Sequence, residues 1–447
     1  MMKKFLLLIL TGLLSSQGLI LSQQKEWSLE ECIRYAIENN IQIKQQVLQT
    51  EVQKNSLALA KLKLLPTLNS SISHDYLFGR ALDPNSYQFF NQAVRSDNMF
   101  IGGETTIFSG LQNLNSIKKN KYEVLAGEED LQYIRDDVAL NVALAYLQIL
   151  LNKELVAVNE NQLNTTLQQI EKTKKLVDAG SVAKGNLLQI ESQAAQEELQ
   201  LITINNQLET SYLTLTQLLE LKSPAGFEVI TPEIDVDTNS IITGNIDDIY
   251  EIARVSRPEI RSSEMKLSAS EYDLKIAKGA RIPRLAISHS LNTRYSYINS
   301  LENASFKDQI KNNKNSSIGL SMNIPILNGW QVNKNISNSK LNVRNYQFSL
   351  EGSKKQLYKT IQKAYTDAVA ALKKYNSSTK AVISSEESFR YTEQKFNVGM
   401  VTSVDYNASK NQLLSAQSNM SQAKYEFIFK TKVLDFYKGI PLNLNIK

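Results

Sequence analysis

The sequence predicts a mainly helical chain with a small β part, built as a tandem structural repeat. Three observations carry this: an ungapped internal match, long proline-free stretches, and four segments that alternate with period two. Residues 29–71 match residues 246–288 at an offset of 217. Leu29 falls on Ile246, Glu30-Glu31 on Asp247-Asp248, Ala36 on Ala253, Leu57 on Leu274, Ala60-Lys61 on Ala277-Lys278, Pro66 on Pro283 and Leu68 on Leu285. At an offset of 219, Ile107-Phe-Ser-Gly110 meets Ile326-Leu-Asn-Gly329, Ala145-Tyr146 meets Ala364-Tyr365, and Gly180 with Val182 meets Gly399 with Val401. Solenoid units run to about 50 residues, so this period is one large unit used twice. The expected organisation is a signal segment 1–22, a first copy 23–221, a linker 222–245, a second copy 246–438 and a tail 439–447. Each copy holds a helix, two strands and a long helical hairpin.

Within the signal segment, Lys3-Lys4 is the charged region, Phe5 to Leu14 the apolar core, and Ser22 the expected cleavage point. Ser15, Ser16, Gln17 and Gly18 interrupt what a membrane anchor would need, about 20 predominantly apolar residues. Cys32 follows Leu29-Glu30-Glu31 rather than an apolar core, so no lipid attachment is expected there; it reads as packed on a helix face. No later segment reads as a membrane-spanning helix.

The hairpins emerge from prolines and seams. The eight prolines leave 111–180, 183–221, 330–398 and 402–438 free. Ile190, Ala194, Glu197, Leu201, Ile204, Leu208, Ser211, Leu215 and Leu218 keep a 4-3 spacing with two polar members, the pattern of a coiled-coil seam. Leu413, Ala416, Met420, Ala423, Phe427, Leu434 and Tyr437 give the matching register in the second copy. At about 1.5 Å per residue, a helix over 111–179 is roughly 100 Å long, an architectural member rather than a core helix. Gly180 and Gly399 suit helix C-termini, so each copy turns back there.

The strands precede the long helices. Leu285, Ile287, His289, Leu291, Thr293, Tyr295 and Tyr297 alternate with polar residues, and Ile318, Leu320, Met322, Ile324 and Ile326 do the same. In the first copy Leu68, Ser70, Ile72, His74 and Tyr76 share a face, as do Met99, Ile101, Thr105 and Ile107. Polar loops are expected at 80–97 and 298–315. Period two over about 10 residues, apolar on one face with aromatics near an end, is the pattern of a transmembrane β-barrel strand. A soluble sandwich would need a second sheet, for which no strands remain. Four strands cannot close a barrel. Two chains give eight, whose interior side chains fill; three give twelve, enough for a pore. The helices then continue the barrel on one side as a tube.

Enzymatic readings find no footing. Gly180-Ser-Val-Ala-Lys-Gly185 has the glycine spacing of a phosphate loop, but Asn186-Leu187 stand where Lys and Ser/Thr are required. His74 and His289 have no second ligand nearby, and one cysteine excludes a thiolate metal site. No catalytic residue, cofactor or metal is expected. The net charge of +5 is spread evenly, which speaks against nucleic acid.

Nearly all of the mature chain resembles the TolC family of outer-membrane efflux proteins. The resemblance rests on Trp27-Ser-Leu-Glu-Glu-Cys-Ile-Arg-Tyr-Ala36 with Asn39-Asn40, on Ala60-Lys61 ahead of Pro66, on Ile107-Phe-Ser-Gly110 and on Ala145-Tyr146. Val398-Gly-Met-Val401 with Val404-Asp405 completes it. It implies a homotrimer in the outer membrane with a twelve-stranded barrel, contacting lipid. A periplasmic tunnel would dock tip to tip on a periplasmic adaptor, and through it on an inner-membrane pump. By that resemblance Val398, Gly399 and Met400 form one adaptor-contact tip, and Ala179, Gly180 and Ser181 a looser second. The family narrows its tunnel with paired aspartates past the tip. Here Asp405 matches the first, Ala408 stands at the second, and Asn186 and Gln189 occupy the first-copy positions. Three Asp405 carboxylates would make an acidic ring and raise one another's pKa; the plainer reading is that Asp405 caps the returning helix. A non-conducting, envelope-anchored coiled-coil protein of structural or adhesive role is the alternative function, though an adhesin stalk would not place paired strands twice inside the chain. Drug or metal efflux and type I protein secretion share such a duct, and selection lies in the pump.

Overall fold

The computed structural model describes residues 26–82, 86–91, 93–232, 245–299 and 302–442. The expected signal segment, linker residues 233–244 and tail residues 443–447 lie outside the described residues. The described residues open with strand β1 (Glu26–Trp27), helix α1 (Leu29–Asn39) and α2 (Ile41–Leu62). Next come β2 (Asn69–Leu77), a small hairpin β3 (Arg80–Leu82) and β4 (Phe89–Asn91), and β5 (Val94–Ser109). Helices α3 (Gln112–Asp178) and α4 (Lys184–Leu218) form the first long hairpin. After β6 (Glu228–Val229), the second half runs α5 (Ile246–Ser256), α6 (Pro258–Gly279), β7 (Arg284–Ile298), α7 (Phe306–Asn312) and β8 (Asn315–Asn323). It closes with α8 (Gln331–Asn397) and α9 (Ser403–Tyr437). Helices of 11, 22, 67 and 35 residues occur in that order in both halves.

Two compact units emerge, each drawing on both halves of the sequence. One takes the described residues of Met1–Lys44, Ile134–Ala253 and Tyr358–Lys447; the other takes Gln45–Tyr133 and Arg254–Leu357.

In the first unit, Ser28 caps α1 through a reciprocal box with Glu31 (Glu31 N to Ser28 Oγ 3.2 Å, Ser28 N to Glu31 Oε2 3.1 Å). β1 pairs in parallel with β6. Tyr146, 1 % exposed, donates its hydroxyl to the carbonyls of Trp27 and Ile230. Cys32 is fully buried on α1 as expected, and burial pushes its thiol up to about 12. Among the described residues α3 alone is long and apolar enough to cross a membrane, contrary to the expectation that no segment is. Its Val142, Tyr146, Ile149 and Leu150 are all buried, so core packing accounts for that apolarity.

The second unit holds a four-stranded antiparallel sheet in the order β2-β5-β7-β8. One face carries Ile72, Ile318, Leu320 and Met322, which stand 62–85 % exposed. The other presents serine and asparagine: Ser288, Ser290, Asn292, Ser317 and Ser321. β8 starts at Asn315 and stops at Asn323, leaving Ile324 and Ile326 beyond it, because Pro325 has no N–H for the ladder. β5 starts at Val94, earlier than the alternation implies; Asp97 near its start is engaged by His74 and lies 3.5 Å from Arg95. The expected 298–315 loop contains α7, capped by Ser305 on the Asp308 N–H (3.2 Å). α7 seals the edge of β7 past the end of β8. The Gln309 amide accepts from Ser296 N (2.9 Å) and donates to Ser296 O (2.9 Å), and Asn303 does the same for Ile298 (3.0 and 2.7 Å). Two side-chain amides thus replace a missing strand.

Candidate functional site

Both hairpin turns close with one backbone device. In the first, Ser181 N donates to Leu176 O (2.8 Å) and Gly180 N to Val177 O (2.9 Å). In the second, Met400 N donates to Lys395 O (2.9 Å) and Gly399 N to Phe396 O (3.0 Å). This paired pattern is a Schellman cap, which needs a left-handed residue at its last position but one. Gly180 (φ +70°) and Gly399 (φ +76°) supply it. A β-carbon at either would meet nothing within 4 Å, so the requirement is conformational and not steric.

Past the glycine the two turns diverge. Thr402 caps α9: Asp405 N donates to Thr402 Oγ1 (3.2 Å), and Thr402 N donates to Asp405 Oδ2 (3.1 Å). The corresponding cap of α4 is Ala183, with no side-chain hydrogen bond. The surfaces differ as well. Val398 and Met400 are 70 % and 75 % exposed, whereas Ala179 and Ser181 present a small residue and a hydroxyl.

The four candidate constriction residues make different contacts within the chain. Asp405 is exposed and turned back on Thr402, whose hydroxyl and N–H hold its carboxyl below the usual range. That local pull opposes the mutual repulsion expected of an acidic ring. Asn186 and Gln189 meet Ser403 instead: its buried hydroxyl donates to the Gln189 amide oxygen and lies 3.4 Å from that of Asn186. Ala408 is exposed.

Two turns further in lies a site that the seam pattern only half reveals. Glu197, the first polar member of the α4 seam, is 5 % exposed and forms an ion pair with Lys410 of α9, 1 % exposed, at 3.3 Å. Lys410 also donates to Gln162 O (3.0 Å) and to the Thr166 hydroxyl on α3; Thr166 in turn contacts Glu197. Gln193 Nε2 reaches Glu197 Oε1 at 3.0 Å. Burial drives the Lys410 pKa down, partly offset by Glu197. Continued backwards, the alternating spacing of the Leu413 seam gives Ser409, Tyr406 and Thr402; Lys410 is buried one position off that register, so the seam reveals Glu197 but not its partner. Removing one partner of such a pair leaves an uncompensated charge, at about 3–5 kcal/mol. The other polar seam member, Ser211, accepts from Asn152 at 2.6 Å. A groove of about 430 Å³ runs alongside, lined by Leu155, Ile204 and Leu414 together with Gln193, Gln196 and Asn411. Among the described residues no cluster could hold a metal ion.

Comparison with known proteins gives a consistent answer. The model of the outer membrane efflux protein family matches residues 32–220 and 249–429. The outer membrane protein TolC of Salmonella enteritidis is 23 % identical over 449 residues, covering 98 % of this chain and 87 % of that protein. The alkaline protease secretion protein AprF of Pseudomonas aeruginosa is 17 % identical, covering 91 % and 83 %. Among solved structures, the outer membrane protein VceC of Vibrio cholerae superposes with a TM-score of 0.75 at 15 % identity, covering 92 % of this chain and 96 % of that one. The CmeC outer membrane channel of Campylobacter jejuni gives 0.76 at 18 % identity, covering 94 % and 87 %.

Proposed function

The chain belongs to the outer membrane efflux protein family, and from that premise we propose that three copies form the exit duct of a tripartite efflux or type I secretion system. It is an outer-membrane protein and not an enzyme. The observation that carries the trimer is the pair of open sheet edges. β2 and β8 are each nine residues long, each bonded on one side only in the sheet. An exposed apolar face on such a sheet calls for lipid, and unpaired edges call for another strand. Leu77 is level with Ile298 through Val94, while Asn315 is level with Asn292. Joining β8 to the β2 of a second copy therefore staggers the strands, as a tilted barrel wall requires. Three copies give twelve strands, and the serine- and asparagine-rich face lines the pore.

The helical hairpins carry the duct on the periplasmic side. Their turns meet the adaptor, with Val398 and Met400 as the apolar contact and Ala179 and Ser181 as the weaker one. The inner-membrane pump acts through the adaptor and selects the substrate. The matched element lengths support reading the chain as two copies of one unit. The expected preparation is a heat-modifiable trimer in the outer-membrane fraction that forms steady conductance steps in planar bilayers. A monomer in mild detergent would overturn the trimer; an inserted trimer without conductance would favour the adhesin reading.

A further inference from the structure

Three ionisable side chains lie together on the face of the sheet that a barrel would turn to lipid. In an antiparallel pair, residues directly opposite share a face. On this face the rungs nearer the helices are apolar: Ile287 opposes Leu320, Leu291 opposes Ile101, and Ile72 opposes Met99. The next two rungs break the pattern. His74, Asp97 and Tyr295 form one; Tyr76, Arg95 and Tyr297 form the other. Charges on the lipid face of a barrel strand are costly at the bilayer centre and cheap only near its surfaces. Height along the strand fits that rule. β7 enters the sheet from α6, so Leu285 is at its helix end. At about 3.3 Å per residue and a tilt of about 40°, the climb from Leu285 to Tyr295 is about 25 Å, the height of a barrel's apolar band. The two charged rungs therefore stand at the far surface, away from the helices.

Asp97 organises the cluster. Its side chain is 10 % exposed; one carboxylate oxygen engages the His74 ring and the other lies 3.5 Å from Arg95 Nη2. The Arg95 guanidinium also sits over the Tyr295 ring, 5.7 Å from its centre. These contacts aim the guanidinium without saturating it. A single long contact leaves most of its donors unused, and its covered Nε finds no acceptor. The side chains of Arg95 and His74 remain 42 % and 47 % exposed. A closed ion pair would hide its charge, whereas this one presents donors outward. α7 packs along β7 beside it, with Thr293 donating to Ile310 O (2.7 Å), and carries exposed Lys307 and Lys311. Its Asp308 is taken up by the Ser305 hydroxyl (2.7 Å).

The helices lie on the periplasmic side, so these rungs meet the external leaflet. In an outer membrane the headgroup there is lipid A, a disaccharide bearing phosphates. Guanidinium and imidazole are strong donors to phosphate, and arginine presents a planar fork that matches it. We propose that Arg95 and His74 bind a phosphate of lipid A, with Asp97 as the positioning residue that holds both in place. Three copies give three such sites. This rests on reading the sheet as a trimeric barrel wall with its serine-rich face inward.

The experiment counts lipids on the intact trimer. Full-length protein, delipidated in dodecyl maltoside, is mixed with bis-phosphorylated lipid A or with the same lipid dephosphorylated, and bound lipid is read by native mass spectrometry. The expected result is up to three bis-phosphorylated molecules per trimer and severalfold lower occupancy by the dephosphorylated form. Arg95→Gln and His74→Gln should each lower occupancy by the phosphorylated lipid severalfold and leave that of the other unchanged. Equal binding of the two lipids by the wild-type trimer overturns the proposal. So does full preference for the phosphorylated lipid in Arg95→Gln, which would leave the cluster a rim ion pair. Where Arg95→Gln fails to assemble, His74→Gln on the exposed edge strand decides by the same criterion. Displacement of lipid A by millimolar inorganic phosphate would make this a site for the free anion and overturn the lipid assignment. A wild-type chain that forms no heat-modifiable trimer overturns the barrel wall instead, and this inference with it.

Discussion

The two hairpin turns share a C-cap and little else. Gly180 and Gly399 adopt one conformation and leave one pair of hydrogen bonds. After that the second turn adds a reciprocal Thr402–Asp405 cap and an apolar tip, while the first starts its return helix at an uncapped alanine and shows small, polar residues. The turn that reverses a long helix is thus the same in both hairpins, and what it presents outside differs. The two hairpins meet again at Glu197 and Lys410, where their return helices are tied by a buried charge pair.

The largest effect should come from cutting that tie. Lys410→Met strands Glu197 beside Gln193 and Thr166, and should cost about 3–5 kcal/mol in chemical denaturation of the hairpins. Adding Glu197→Leu should recover most of the loss, since an apolar pair fills the same space without a buried charge. If the double variant is no better than the single, the two hairpins are not coupled through this pair.

Next comes a like-for-like change at the two glycines. Gly180→Val and Gly399→Val each force a left-handed β-branched residue, at about 1–2 kcal/mol, with no added clash. Trimer yield should hold in both. Export should fall in both and collapse at Gly399, whose flanks Val398 and Met400 present the apolar contact. Export unchanged in both variants would remove the turns from the docking surface.

The caps differ by less. Thr402→Ala should cost about 1 kcal/mol, and Ala183→Thr should gain a similar amount, making the turns more alike. Hydrogen exchange in the first turns of α4 and α9 would register both. A null result at Ala183 would mean that its neighbours already satisfy the helix start.

The smallest effect concerns Asp405. The Thr402 contacts hold its carboxyl below the ordinary 3.8. Its contribution to the turn is therefore full above that value and is lost as pH falls through the lowered one. The exchange-protection gap between wild type and Asp405→Asn should close in the same direction. If Asp405 also forms a ring at the pore, the Asn variant should shift the reversal potential under a salt gradient towards lower cation preference. An identical reversal potential would leave it a cap alone.

Long elements are legible in the sequence because their patterns have room to repeat. A stretch of 67 residues without proline announces α3, and the alternation from Leu285 to Tyr297 announces β7. What stays hidden is short or locally compensated. α7 spans seven residues, too few for a periodic signal, and is held by amides on Gln309 and Asn303 that composition does not distinguish from loop residues. Asp97 interrupts the apolar alternation of β5, and only the paired strand reveals that His74 meets it. Lys410 looks like any solvent-facing lysine because the apolar members of the second seam begin only at Leu413. Where the sheet passes into the long helices, Leu111 and Trp330 give no sign of positive φ, since bulky residues there run against propensity.

The matched helix lengths limit how this chain can evolve. Each long hairpin is a 67-residue helix answered by one of 35, although few residues agree between the two. Loss of one heptad from α3 alone would carry Thr166 out of reach of Lys410 and rotate its seam by about 20°. Substitutions can accumulate one at a time in such a chain, but insertions and deletions have to arrive in matched sets. Lineages with longer or shorter hairpins should therefore differ by whole heptads, repeated in all four helices.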